Sequence, residues 1–405
     1  MIDTVIHDAS EIVVGPAEDR SRLKQHEDGA IAVVDGTIAA VGPNDAVTRE
    51  YPPENAAHAI DASEKAIIPG FVDSHTHALF AGDRSDEFEA KLSGATYQEI
   101  LAEGGGILRT VRATREATDQ ELLDQLLGYL DVMLAHGTTT VEVKSGYGLD
   151  TETELRMLSI LDRADREHSV DVVPTFMGAH AVPPAYDSDE YTEIVIDEQL
   201  PAVVDQDVAE FCDVFCEADV FSVEQSRQIL EAGTEHGLQP KVHAEEFVHF
   251  GGAQLAAELE AMSADHLLHA DSSDINALDE AGVAPVLLPG TAFSLGAEYA
   301  DARVFLEQGV SVALASDFNP NCHSPSMQFA VALGCIGMEM TPAEAIMAAT
   351  HGGARALDRD TGTLEQGAPA DLSLIDAPSH VHIPYTFGVN NVEAVMKGGE
   401  IVYDH

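Results

Sequence analysis

Two histidines one residue apart, His75 and His77, close the apolar run IIPGFVDSHTHALF at residues 67–80. Alternate side chains of a β-strand share a face, so both imidazoles would project together. Imidazole suits borderline ions such as zinc, and carboxylates complete such shells. An HxH pair alone is a weak signal, because surface histidines pair this way by chance. Two later runs supply partners: PKVHAEE ends on His243 and Glu246, and VSVALASDFNP ends on Asp317. His75, His77, His243 and Asp317 together give three imidazoles and a carboxylate and leave a position open for water. Such a site lowers the pKa of bound water from about 15.7 toward 7. Phe215-Cys216-Glu217, at the end of another run, offers no lysine to bridge a second ion. One metal per chain is therefore expected.

The elements that must hold these groups are legible as alternation. Between 67 and 356, eight apolar runs are followed by polar or Gly-rich loops and separated by amphipathic segments, the pattern of βα units around a parallel sheet. Thr118 with Glu121, Ser222 with Gln225 and Thr341 with Glu344 have the spacing of capping boxes and mark helix starts. Eight such units predict a (β/α)8 barrel, whose functional groups gather at the C-terminal ends of its strands. Those ends carry His75 and His77, Tyr147, His180, His243 and Glu246, His266, and Asp317. Residues 1–66 and 357–405 hold short strand-like runs with Gly turns, including a hairpin at Asp35-Gly36. The expectation is α/β: a barrel over 67–356 beside a small β-sandwich that both chain ends build, 1–66 and 357–405.

Seventy-one acidic residues stand against 20 basic ones, a net charge of −51. Such a surface repels phosphate, which argues against nucleic acid and anionic membrane as partners and leaves a small molecule. The acid is spread along the chain, as suits a cytoplasm at molar salt, where the Debye length is about 3 Å. A halophilic source is expected. Four cysteines without CxxC spacing predict a reducing cytoplasm. No basic segment precedes an apolar one at the start and no apolar run approaches 18 residues, so neither a signal peptide nor a membrane span is expected.

Longer blocks carry a resemblance. PGFVDSHTH resembles the amidohydrolase superfamily. GGGILRTVRATR (104–115), TTTVEVKSGYGLDTETELRML (138–158), FMGAHAVPP (176–184), SADHLLHA (263–270), LLPGTAFSLG (287–296) and SDFNP (316–320) resemble the imidazolonepropionases within it, end to end. That resemblance implies hydrolysis of the cyclic amide of 4-imidazolone-5-propanoate to N-formimidoyl-L-glutamate, in histidine degradation. It implies His75, His77, His243 and Asp317 as ligands of zinc or iron, zinc slightly favoured. It also implies Glu246, His266 and Asp317 in proton transfer, with Arg84, Tyr147, His180, Glu246 and Asn319 at the substrate, and a homodimer. One stretch departs from the pattern: Asn321 and Cys322 stand where Gly-Ser is expected, so their substrate contacts are the least secure. The nearest alternative is an aminohydrolase of guanine or formimidoylglutamate, which would not be expected to carry VEVKSGYG and AHAVPP. A remoter one is an inactive scaffold barrel, although such relatives lose the ligands present here.

Other groups have plainer readings. Glu142 and Lys144 are expected as an ion pair inside the barrel, His269 as a packed core residue, and His249 and His323 as loop residues. Gly104-Gly105-Gly106 lacks the Lys-Ser/Thr of a phosphate loop and reads as part of an active-site loop. Cys212 and Cys216 read as buried strand residues.

Overall fold

A computed structural model describes residues 2–17, 22–95, 99 and 104–405. Eight parallel strands form one sheet in the order β13-β12-β11-β10-β9-β8-β7-β6. They are β6 (Phe71–Asp73), β7 (Thr138–Lys144), β8 (Asp171–Ala179), β9 (Phe211–Cys216), β10 (Gln239–Ala244), β11 (Ser263–His266), β12 (Ala284–Leu287) and β13 (Ala313–Leu314). The sheet closes where the first and last strands end. Thr76 bridges Phe318, Asp317 N–H donates to His75 O at 3.1 Å, and His77 N–H donates to Phe318 O at 2.9 Å. Closure therefore sets the ends of the first and eighth strands, which carry His75, His77 and Asp317, side by side.

The three sequence-marked helix starts are capping boxes in the structure, at Thr118, Ser222 and Thr341. The helix Asp119–Ala135 buries Leu122, Leu123, Leu126, Leu130, Met133 and Leu134 against the barrel and stops before Gly137. Gly137 has φ +95°, and a Cβ there would lie 2.9 Å from Ser373 Oγ and 3.2 Å from Phe71, where the barrel meets the terminal sheet.

Both chain ends share a second, mostly antiparallel sheet. It runs from β16 (Glu400–Asp404) through β15 (Val392–Lys397), β14 (Leu372–Ile375), β5 (Ala66–Pro69), β1 (Ile2–Pro16) and β2 (Leu23–Val34) to β3 (Thr37–Pro43), with β4 (Ala56–Asp61) on β1. Irregularities in β1 let its two wings share a core, in which Ile31, Val33 and Ile38 pack with Leu372, Leu374 and Met396. Asp35 (φ +49°) and Gly36 (φ +75°) make the hairpin turn between β2 and β3. The run read as one first strand is divided between the sheets: β5 pairs with β1 and β14, and β6, after Gly70, opens the barrel.

Candidate metal centre and active site

His75, His77, His243, His266 and Asp317 meet at the C-terminal end of the barrel, each at most 3% exposed. His75 Nε2 and His77 Nε2 both lie 3.6 Å from Asp317 Oδ1. His243 Nε2 lies 3.4 Å from His77 Nε2. The outer nitrogens of two of these histidines are already engaged: His75 Nδ1 meets Asp265 Oδ2 at 2.6 Å, and His243 Nδ1 meets Asp213 Oδ1 at 3.1 Å. Each carboxylate fixes its ring so that Nε2 points inward, the usual support for a metal-bound histidine. His75 Nε2 and Asp317 Oδ1 are buried without a hydrogen-bond partner among the described residues. Burial pushes the pKa values of His75 and His77 well down, so both rings are neutral with lone pairs to offer.

Buried charge argues the same way. Glu142, Asp213, Asp265 and Asp317 stand against Lys144 and Lys241, all within the barrel. Lys144 Nζ lies 2.7 Å from Asp213 and 2.8 Å from Glu142, and Lys241 Nζ lies 3.1 Å from Glu142. Buried carboxylates outnumber the two ammoniums here, an imbalance that a bound cation relieves. The residues fit one such ion.

Around this centre, Glu246 Oε2 lies 3.5 Å from His266 Nε2. Burial, then Asp317 and Glu217, raise the Glu246 pKa well above the usual carboxylate range, while burial pushes that of His266 well down. His266 has φ +79° and Asp317 φ +49°, rare conformations for residues other than glycine that reach their side chains into the site. Asp317 is braced by Thr291, whose hydroxyl donates to it. His180 stacks on His77, centroids 4.7 Å apart, and its Nδ1 meets Gly146 O at 3.0 Å. Burial lowers the His180 pKa to about 3. Tyr147 lies beside His77 and His180, its ring centroid 6.0 and 5.2 Å from theirs. Gly146 (φ +99°) must be glycine, since a Cβ would stand 2.9 Å from His180 Nδ1.

The remaining expected residues lie at the rim. Arg84 caps the helix Ser85–Leu92 and donates from Nε to Glu87 at 2.8 Å. Asn319 donates to Asp317 O at 2.8 Å and accepts from the N–H groups of Asn321 and Cys322, so its amide is already shaping its own loop. Asn321 accepts from Lys91 Nζ at 2.5 Å. Cys322 is turned inward, its Sγ 3.6 Å from Ser316 O, and buried.

Several supporting groups escaped the sequence reading. Asp213, Asp265 and Lys241 sit in the interiors of apolar runs; period-two alternation of charge with Val and Ala was their only signal. Asp73 closes the barrel by accepting from Ser316 N–H at 2.9 Å and from its hydroxyl at 2.5 Å. Glu154 accepts from the N–H groups of Gly146, Gly148 and Leu149 at 2.8–2.9 Å. Glu245 accepts from Gly251 and Ala253 and holds the loop after Glu246. Glu142 and Lys144 are the interior ion pair that was expected, and Cys212 and Cys216 are buried in β9. His249 and His323 lie in loops. His269 is not packed in the core as expected: it is exposed just past the turn at His266 and Leu267, and its backbone N–H donates to Glu245 O.

Comparison with known proteins assigns the family. Residues 66–402 match the amidohydrolase family. The chain is 65% identical to an imidazolonepropionase of Haloarcula marismortui, over 99% of this chain and 96% of the relative. It is 62% identical to one of Halobacterium salinarum, over 99% and 98%. The chain belongs to the imidazolonepropionases. An adenosine deaminase from Xanthomonas campestris with bound zinc shares the amidohydrolase fold, with TM-score 0.75 at 18% identity over 99% of this chain and 92% of that one. A triazine hydrolase variant shares it with TM-score 0.76 at 15% identity. Imidazolonepropionases at 62–65% identity come from salt-requiring organisms, in keeping with the charge of −51.

Proposed function

We propose that this imidazolonepropionase opens the ring of 4-imidazolone-5-propanoate to N-formimidoyl-L-glutamate, with His75, His77, His243 and Asp317 holding one divalent cation. Full-length identity of 65% to an imidazolonepropionase carries the substrate, and the four converging ligand atoms carry the metal. Zinc is preferred over iron, since three imidazoles and a carboxylate suit it well. The chemistry such an ion supplies is Lewis-acid polarisation of the ring carbonyl and a lowered pKa for water.

The chain's own residues do the rest. Glu246 accepts a proton from the attacking water and returns it to the ring nitrogen as the C–N bond breaks. Its raised pKa suits the return of that proton to the nitrogen. His266, at 3.5 Å, steadies Glu246 and the oxygen gathering charge. Asp317, besides binding the metal, is placed to take part in that proton transfer. Tyr147 and His180 flank the ring of the substrate, and the Arg84 guanidinium pairs with the propionate carboxylate. Asn319 holds the 317–322 loop against Asp317, and through that loop Asn321 and Cys322 border the substrate space.

The proposed setting is a cytoplasmic homodimer. Among the described residues no helix is long and apolar enough to cross a membrane. Ile336, Tyr385, Phe387 and Val389 are all more than half exposed, unusual on so acidic a chain, and support self-association. Sedimentation in molar KCl checks the mass. The activity is tested by following loss of imidazolonepropionate absorbance with metal-analysed protein in molar KCl, beside His243→Ala. Turnover with one zinc or iron per chain, lost in the variant, is expected; a folded, metal-loaded protein that leaves this substrate untouched overturns the substrate.

A further inference from the structure

Lys91 has no part in the site as drawn from the sequence, yet it reaches the substrate rim. It lies seven residues after Arg84, two turns along the helix Ser85–Leu92, so both side chains occupy one helix face. Its Nζ donates to Asn321 Oδ1 at 2.5 Å. Asn321 in turn belongs to a loop bound to the ligand Asp317: its N–H donates to Asn319 Oδ1 at 2.7 Å, and Asn319 Nδ2 donates to Asp317 O at 2.8 Å. Arg84 is near enough to influence both Tyr147 and Lys91 electrostatically. Glu87, buried between them, fixes Arg84 through Nε at 2.8 Å and takes the Gly106 N–H at 3.0 Å, which anchors the next segment. Two cations thus extend from one short stretch of chain, Arg84 held by Glu87 and Lys91 held by Asn321 of the 317–322 loop.

Holding cations there runs against the composition. Only 20 of 405 residues are basic, but five of them, Arg84, Lys91, Arg109, Arg112 and Arg115, fall within 84–115. Half-burying Lys91 beside Arg84 costs desolvation and like-charge repulsion, which lower its pKa. An anion between the two would relieve that repulsion, and the propionate carboxylate is the anion the reaction brings.

Resting on the proposed substrate, we infer that Lys91, aimed by Asn321, is a second binding group for the substrate carboxylate beside Arg84. Asn321, which breaks the family pattern, is then the residue that aims the lysine.

The test compares wild type, Lys91→Met and Lys91→Arg, metal-loaded in molar KCl. Probes are imidazolonepropionate, the unhydrolysable 3-(imidazol-4-yl)propanoate, and the primary amide of that acid. Loss of one charged hydrogen bond at a half-buried site predicts a KM about tenfold higher in Lys91→Met, kcat within about twofold, and acid binding about tenfold weaker. Binding of the neutral amide should not move, and Lys91→Arg should recover most of the loss. Unchanged KM and acid affinity in Lys91→Met overturn the inference. So does equal weakening of acid and amide, which would mark a disturbed loop. If the wild type does not turn over imidazolonepropionate, the substrate reading falls separately. Calorimetry with acid and amide then decides the lysine, and equal affinities in wild type and Lys91→Met overturn it.

Discussion

Glu246 and His266 face each other at 3.5 Å with almost no access to solvent, and neither is charged comfortably there. Glu246→Gln keeps the volume and removes the proposed proton acceptor. It should lower kcat by about 10²–10⁴ with metal content unchanged, read by turnover and metal analysis on one preparation. Asp265 acts one step back, holding His75 Nδ1 at 2.6 Å. Asp265→Asn should weaken metal binding about 10–100-fold, measured by competition with a chromophoric chelator. Retained affinity would show that the ring is oriented by packing alone.

At the scale of elements, the block VEVKSGYGLDTETE is one unit. The loop after β7 presents Tyr147 and Gly146, and Glu154, on the following helix Thr151–Glu167, gathers three of the loop's N–H groups. Glu154→Ala leaves three buried donors without an acceptor, at a cost of about 1–3 kcal/mol. Denaturant unfolding should show that loss, and KM should rise as Tyr147 and His180 lose their support. Glu11 of β1 ties the two chain ends together, accepting from His380 N–H at 2.7 Å and meeting His380 Nδ1 at 2.9 Å. Burial alone would raise its pKa, but the hydrogen bonds from His380 outweigh it and the net shift is below the ordinary 4.5. A depressed carboxyl pKa contributes stability that is present above the unfolded value and lost as pH falls through the folded one. Melting temperature should therefore drop below about pH 4.5 in the wild type, and Glu11→Gln should flatten part of that acid limb.

For the whole molecule the governing quantity is the charge of −51. At 0.1 M salt the Debye length is about 10 Å and carboxylates across the surface repel one another; at 1 M it is about 3 Å and they scarcely interact. The melting temperature should rise steadily from 0.1 to 3 M KCl, by calorimetry, with activity following it. A flat profile would mean that acidic surface and stability are uncoupled. Lys65–Glu393 at 2.5 Å and Lys397 with Asp171 and Asp371 at 2.7 Å link distant parts of the chain and use two of the few lysines.

How much of this was open to sequence reading differs by kind of residue. The barrel, the capping boxes at Thr118, Ser222 and Thr341, the hairpin at Asp35-Gly36 and the groups His75, His77, His243 and Asp317 follow from local rules: strand period, cap spacing, turn chemistry and the placement of function at strand ends. Longer motifs such as VEVKSGYG added the substrate through the resemblance they carry. The supports were decided only by tertiary structure. Parallel register sets His243 opposite Asp265 and Lys241 opposite Asp213, and closure brings Asp73 to Ser316, 243 residues away. A charged residue inside an apolar strand gives no sign of its partner until the barrel is closed, because burial makes that partner obligatory while register and closure together choose it, as for Asp265 with His75 across the barrel. For the same reason the inward turn of Cys322 and the reach of Lys91 to Asn321 belong to the fold: both depend on how one loop closes over the barrel mouth.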